Sequence, residues 1–277
     1  MKEKLHSAAL VFILCITLFG SATAAEVYSF AVVPQISALE IHKYWTPFLK
    51  ELSAELNVTF QLKTYPSIPD FEEDLLKGGP DFAYMNPYHA VMAHKAQYKP
   101  IIKDKTNLIG CLVAAKSSGF NSVKDLDGKL IVFPSPNAFA ASLYMRALLA
   151  EKEKIQFSKK YVKTHQNVYR SVAMGMSAAG GGVQNTLDKE EPAFKDKLTI
   201  LYETPGFASH PIAANDRVSS KFSTDVQKAI LRIAADPKNR DMFKNVKIPN
   251  PVEADYKKDY LPLSQLGLEK YVEIEKE

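Results

Sequence analysis

Short apolar strands alternate with amphipathic helical stretches along this chain, and the alternation repeats after about 100 residues. An apolar run at 28–33 stops at Pro34, and another at 130–133 stops at Pro134. A strand-like run at 58–64 closes on Thr64-Tyr65, and one at 161–164 closes on Thr164-His165. Each is followed by a short helical stretch, a Gly break, a short strand and a further helix. Strands that alternate with helices predict an α/β fold with mostly parallel sheets. A repeat of that order predicts two similar lobes, which 277 residues comfortably supply.

The remaining elements follow from periodicity and punctuation. Leu39, Ile41, Trp45, Phe48, Leu49, Leu52 and Leu56 recur at helical spacing after Ser37, and Pro47 is expected to kink that helix. Helices are also expected at 70–76, 87–95, 138–150, 168–174 and 221–235, with strands at 81–84, 108–115, 198–202 and 211–215.

Residues 1–25 are set apart from the fold. Lys2 and Lys4 precede an apolar run at 8–19, and Ala22-Thr23-Ala24 supplies a small-residue cleavage pattern, the signature of a secretory signal peptide. The apolar run is too short to span a bilayer. Cleavage after Ala24 or Ala25 would deliver a periplasmic product. Cys15 leaves with the leader, and Leu14 before it is not the small residue a lipoprotein signal uses. Cys111 then remains as a single thiol, so no internal disulfide is expected. The net charge of +4 and the absence of a long basic tract argue against a nucleic-acid partner.

Asn86-Pro87 follows one strand and Ser135-Pro136 follows another. Asn and Ser cap helices well, and Pro is favoured at the first helical position. Both dipeptides therefore mark helix starts at the carboxyl ends of strands, the edge where open α/β sheets bind ligands. Two helix starts facing each other across a cleft would suit an anion, although each residue could simply cap its own helix. Tyr84, Tyr88 and His89 surround the first start, and Asn137, Phe139 and Ser142 the second. His165, Tyr169 and Arg170 follow the strand expected at 161–164. Gly180-Gly181-Gly182 either brings backbone N–H groups against a ligand or makes a tight packing turn. It lacks the Gly-Lys-Ser/Thr ending of a nucleotide-binding loop.

These motifs, in order, resemble the phosphate/phosphite/phosphonate solute-binding proteins of ABC importers, the PhnD-like branch of type II periplasmic binding proteins. The stretches concerned are Phe30-Ala31-Val32-Val33-Pro34-Gln35, Trp45-Thr46-Pro47-Phe48-Leu49 and Asp81-Phe82-Ala83-Tyr84-Met85-Asn86-Pro87. Further along come Asp125-Leu126-Asp127-Gly128-Lys129, Phe133-Pro134-Ser135-Pro136-Asn137-Ala138-Phe139 and His165-Gln166-Asn167-Val168-Tyr169-Arg170. Thr204-Pro205-Gly206 and His210-Pro211-Ile212 complete the set.

The resemblance implies a type II periplasmic-binding-protein fold, two Rossmann-like lobes joined by two hinge crossings near 108–116 and 205–215. One lobe would comprise 26–112 with 212–277, the other 113–211. The ligand-binding residues it implies are Gln35, Tyr84, Asn86, Tyr88, Ser135, Asn137, Phe139, His165, Tyr169 and Gly181. The expected ligand is a small anion clamped by lobe closure, and the expected partner an ABC permease. The protein would act as a monomer without a cofactor.

The Asn86-Pro87-x-His89 and Pro136-Asn137-Ala138-Phe139 features also resemble the sensor domains of tetrathionate-type histidine kinases. That resemblance implies an alternative partner, a membrane sensor kinase, and a sulfur or arsenic oxyanion as ligand. No catalytic motif or metal-ligand spacing is present in the sequence, so no enzyme activity or metal centre is expected. Cys111 lies in an apolar run and is expected to be a small buried hydrophobe. Its alternative is a thiol at the hinge edge that takes a soft ligand such as arsenite.

Overall fold

The computed structural model describes residues 25–273, so the expected leader lies outside the described residues except for Ala25. The chain runs β1 (Val27–Val32), α1 (Ala38–Leu56), β2 (Thr59–Lys63), α2 (Ile68–Leu76), β3 (Phe82–Tyr84), α3 (Pro87–Ala93) and β4 (Tyr98–Asp104). It continues through β5 (Gly110–Ala115), β6 (Lys129–Phe133) and a helical run at 139–152 whose central α turn is α4 (Tyr144–Ala147). β7 (Phe157–Tyr161), α5 (His165–Ala173), β8 (Ala179–Val183), α6 (Gln184–Leu187), α7 (Pro192–Lys195) and β9 (Leu198–Glu203) follow. β10 (Pro211–Asn215), α8 (Ser220–Ala235), α9 (Arg240–Asn245) and β11 (Pro251–Glu253) precede a tail of short helical turns.

Two sheets form, ordered β11-β4-β10-β3-β1-β2 and β7-β6-β8-β5-β9. The repeat seen in the sequence is the parallel trio at the heart of each: β2-β1-β3 in one and β7-β6-β8 in the other. The sheets are nonetheless mixed rather than mostly parallel. β10 and β5 lie antiparallel beside these trios, and β4, β9 and β11 extend them antiparallel.

β4 ends in the first sheet at Asp104 and β5 begins in the second at Gly110; β9 ends at Glu203 and β10 begins at Pro211. The chain therefore passes between sheets at 105–109 and 204–210. The crossings expected at 108–116 and 205–215 take in β5 and β10, which the ladders place wholly inside a sheet. A lobe boundary at 112/113 would cut β5 in two. The apolar pattern of a buried strand gives no sign of which sheet it joins. The crossings are tied to each other by paired backbone bonds, Leu108 N–H to Phe207 O (2.8 Å) and Phe207 N–H to Leu108 O (3.0 Å).

Local rules explain the elements and their exceptions. Ser37 and Glu40 close a capping box at the start of α1, and Asn57 ends the helix in the left-handed region. α1 runs on as a single helix through Pro47, whose exposed position leaves the freed carbonyl open to water. Its buried stripe of Ile41, Trp45, Phe48, Leu49 and Leu52 holds both halves to the first sheet. β7 lies earlier than expected, because its exposed edge carries Lys159 and Lys160 and hides the apolar alternation.

Gly180, Gly181 and Gly182 lie within a strand, β8, rather than in a turn after one. A Cβ on Gly180 would sit 2.4 Å from Val168 Cγ1, and one on Gly182 2.2 Å from the Tyr169 hydroxyl, both on α5. On the opposite face a Cβ on Gly181 would sit 2.0 Å from the Ala141 carbonyl. The alternation of strand faces thus lets helices close on β8 from both sides.

The lobes also pack directly. Ala138, Phe139, Ala140, Ala141 and Leu143 of the second lobe share one apolar cluster with Phe30, Trp45, Phe82 and Tyr88 of the first.

Candidate functional site

A cavity of about 380 Å³ opens between the lobes at the carboxyl ends of the parallel strands. Gln35 follows β1, Tyr84 ends β3, and His165 opens α5 after β7. His210 enters the same cavity from the second crossing. These four come from both lobes and from positions 175 residues apart in the chain.

The Gln35 amide donates to His210 Nε2 (2.7 Å), which leaves the ring proton on Nδ1. His210 stacks on Tyr84 at 5.5 Å, and Tyr84 packs against Trp45 at 4.8 Å. Burial, and less strongly Asp104, holds the Tyr84 hydroxyl well above its ordinary range. His165 is 7% exposed, and its Nδ1 has no hydrogen-bond partner among the described residues. Burial alone pulls His165 down to about 4. His210 is lowered to about 3 by burial, with His89 and His165 adding to the effect.

Both rings are therefore neutral in the folded protein, whereas an unfolded histidine titrates near 6.5. Between these values the unfolded chain binds more protons, so stability is full above about pH 6.5 and falls as the pH drops toward 4. Urea midpoints measured from pH 8 to pH 4.5 are expected to decline, with a shallower decline in His165→Gln. An equal decline in that variant would remove His165 from the effect.

Only the first anticipated helix start forms: Asn86 caps α3, whereas the chain turns at 136–137 and the helical run begins at Phe139, behind Ala138 and without a side-chain cap, so Ser135 caps no helix. The two segments still meet, and they are joined rather than separated by a gap. Asn86 caps α3, accepting the His89 backbone N–H (2.8 Å), and its side-chain amide donates to Asn137 O (3.0 Å) across the lobes. Asn137 donates to Glu72 Oε2 (2.8 Å), and His89 Nε2 donates to Glu72 Oε1 (2.7 Å). Tyr88 stacks on Phe139 at 6.2 Å, and Phe139 meets Phe207 edge-on at 4.9 Å. Gln35, Tyr84 and His165 line the cavity, while Asn86, Tyr88, Asn137 and Phe139 form the protein-filled lobe contact beside it.

Ser135 is buried with no partner for its hydroxyl among the described residues, and it does not line the cavity. The Tyr169 hydroxyl donates to Val183 O (2.7 Å) and accepts from Val183 N–H (2.8 Å), locking α5 to β8. Gly181 lies under Ala141 and Phe133. Cys111 is fully buried 3.9 Å from the Tyr169 hydroxyl, and burial pushes its thiol up to about 12. It lies away from the cavity lining, so Cys111→Ser is expected to leave ligand binding unchanged in calorimetry.

Sequence reasoning passed over several lining residues: Asn107, Asn185, Thr186, Lys189, Ser209 and Lys247. Most lie in connecting segments with no motif. His210 enters the sequence reading only within the His210-Pro211-Ile212 stretch, although a His-Pro step ahead of an apolar run could have marked a strand-edge position.

The chain matches the model of a family described as ABC transporter, phosphonate, periplasmic substrate-binding protein, over residues 30–260. Among solved structures, a binding-protein component of a phosphonate ABC transporter from Pseudomonas aeruginosa is 15% identical. It superposes with a TM-score of 0.77 over 87% of this chain and 85% of that one. PhnD1 from Prochlorococcus marinus, in complex with methylphosphonate, is 16% identical with a TM-score of 0.78, over 87% of this chain and 97% of that one. A Xanthomonas citri protein bound to ATP is 13% identical with a TM-score of 0.76, covering 90% of this chain and 100% of that one. Likeness at such identities is likeness of fold: two lobes with the type II periplasmic-binding-protein architecture.

Proposed function

This chain belongs to the family of periplasmic substrate-binding proteins of phosphonate ABC transporters, which are carriers and not enzymes, and on that premise we propose that it captures an oxyanion of the phosphate, phosphite or phosphonate class. The oxyanion is either free or the anionic group of a larger molecule, and the ligand occupies the cavity between the lobes. The lobes close on the ligand by bending at 105–109 and 204–210, and the closed form docks on an ABC permease. The lobes would be 26–104 with 211–273, and 110–203. The protein works as a monomer in the periplasm once residues 1–25 are removed.

The observation that carries this reading is the buried, unpartnered Nδ1 of His165 in a cavity walled by both lobes. A buried polar atom without a partner costs free energy that a ligand can recover. The Gln35–His210 pair and the Tyr84 hydroxyl add hydrogen-bonding groups from the first lobe and the crossing.

His165→Ala and Tyr84→Phe are each expected to weaken anion binding by roughly 1–3 kcal/mol in calorimetry with phosphate, phosphite and methylphosphonate. Wild-type affinity in both variants would remove this cavity as the site. Asn86→Ala is expected to act instead through stability, since its amide joins the lobes and lies outside the cavity lining.

A further inference from the structure

The chain makes a third passage between the lobes, at its C-terminal end. After β11 the tail stays on the first lobe. Tyr260 is fully buried and donates to Ser209 O (2.8 Å) at the second crossing, and the turn Leu261–Leu266 packs on α3. Leu263 and Leu268 bury their side chains in the apolar cluster that holds Phe30 and Phe82. By Tyr271 the tail lies on the second lobe. The Tyr271 hydroxyl donates to Glu151 Oε1 (2.7 Å), and its carbonyl accepts from the Arg146 guanidinium (2.6 Å). The Glu273 carboxylate accepts from Arg146 (2.6 Å), from the Tyr161 hydroxyl (2.9 Å) and from Lys159. Asn137 ties the ends together. Its amide nitrogen donates both to Glu273 O (2.9 Å) and to Glu72 Oε2 of the first lobe (2.8 Å), and its amide oxygen accepts the Glu273 N–H (3.1 Å). Asn137 is 1% exposed, so this side chain is satisfied by protein only with the lobes together and the tail in place.

Position decides what such a passage does. The crossings at 105–109 and 204–210 are bonded to each other through Leu108 and Phe207, so they bend as one hinge. Two bodies joined along one line can swing about it. The tail is held by Lys159 and Tyr161 on β7, at the far edge of the second sheet, three strands from β5 where the first crossing enters. At about 4.8 Å between strands that is roughly 14 Å away, and an attachment off the hinge line resists the swing. None of Asn137, Arg146, Glu151, Lys159 and Tyr161 lines the cavity. The groups that hold the tail and those that meet a ligand are therefore separate.

We propose that residues 269–273 form a latch, which holds the lobes together from outside the cavity and must leave Arg146 before they can part. The Glu273 side chain is 32% exposed, so water replaces its partners as it lifts and the latch is releasable. Each closed molecule then owes part of its closure to the tail, and the tail sets part of the affinity of the cavity. That consequence rests on the reading above that the cavity is the ligand site; the latch does not.

Small-angle X-ray scattering of the ligand-free protein tests the latch, with thermal unfolding as the check on folding. Glu273→Ala is expected to raise the radius of gyration above that of wild type, and Glu273→Gln, which keeps an oxygen acceptor, to raise it less. A tail that merely packs down would leave the lobes where they are. Calorimetry then uses whichever of phosphate, phosphite and methylphosphonate wild type binds most tightly, and Glu273→Ala is expected to weaken that binding about tenfold. Scattering unchanged in both variants would overturn the latch, whatever the affinity does. A larger radius with unchanged affinity would keep the latch and count against a ligand site that needs both lobes. A larger radius with no anion bound by wild type would keep the latch and overturn the cavity reading.

Discussion

Replacing Arg146 with Met is expected to lower the unfolding free energy by about 3–5 kcal/mol and to release the C-terminal segment from the second lobe. Arg146 is 3% exposed. Its guanidinium donates to Glu273 (2.6 Å), to Pro136 O (2.9 Å) and to Tyr271 O (2.6 Å). Removing it strands the buried Pro136 carbonyl and the half-buried Tyr271 carbonyl as well as breaking an ion pair, and a stranded buried acceptor costs its full desolvation.

The same group anchors a strap. Asn137 grips Glu273 through both backbone atoms, donating to its carbonyl (2.9 Å) and accepting its N–H (3.1 Å). Lys159 and Tyr161 hold the Glu273 carboxylate, and Tyr271 donates to Glu151 Oε1 (2.7 Å). The segment leaves the first lobe and lies down on the second. Urea unfolding measures the stability loss, and limited proteolysis reports release of residues near 271–273. A Met variant within about 1 kcal/mol of wild type would show that the strap contributes little.

Gly181→Ala is expected to cost about 3 kcal/mol, or to abolish soluble expression. The new methyl would fall 2.0 Å from the Ala141 carbonyl and 2.8 Å from the Phe133 ring. Neither is the free end of a flexible side chain, so β8 and the helical run at 139–152 must separate. That run carries Phe139 into the lobe contact, so the displacement would also disturb the pairing with Tyr88. Thermal and chemical unfolding would measure the loss. Full stability would mean that the helix can shift freely on the sheet, contrary to its close approach at Gly110, where a Cβ would lie 2.5 Å from the Ala140 carbonyl.

Much of the fold was legible because its signals are local. The strand ends at Pro34 and Pro134 and the caps at Ser37 and Asn86 depend on neighbours a few residues away. β4 was not anticipated, because Tyr98-Lys99-Pro100 interrupts its alternation with a charge and a proline. The three glycines looked like a turn because Gly is usually punctuation, and only the helices packed on both faces of β8 show why a strand needs them.

Of the anticipated site residues, Gln35, Tyr84 and His165 share the cavity because each stands at a strand's carboxyl edge, a place that element order predicts. Asn86 and Asn137 stand at equivalent edges, yet their partners are each other, across 51 residues. Lys189 and Lys247, which also line the cavity, carried no signal at all, since isolated lysines in loops look alike in a sequence.

The sequence by itself determined most of the elements, their order and their repetition, because hydrophobic period, capping and proline geometry act within one or two turns of chain. The tertiary structure alone decided which segments join across the lobes and which polar atoms are left buried without partners among the described residues. Those outcomes depend on how one sheet is set against the other, and that is fixed by contacts between segments as far apart as Gln35 and His210.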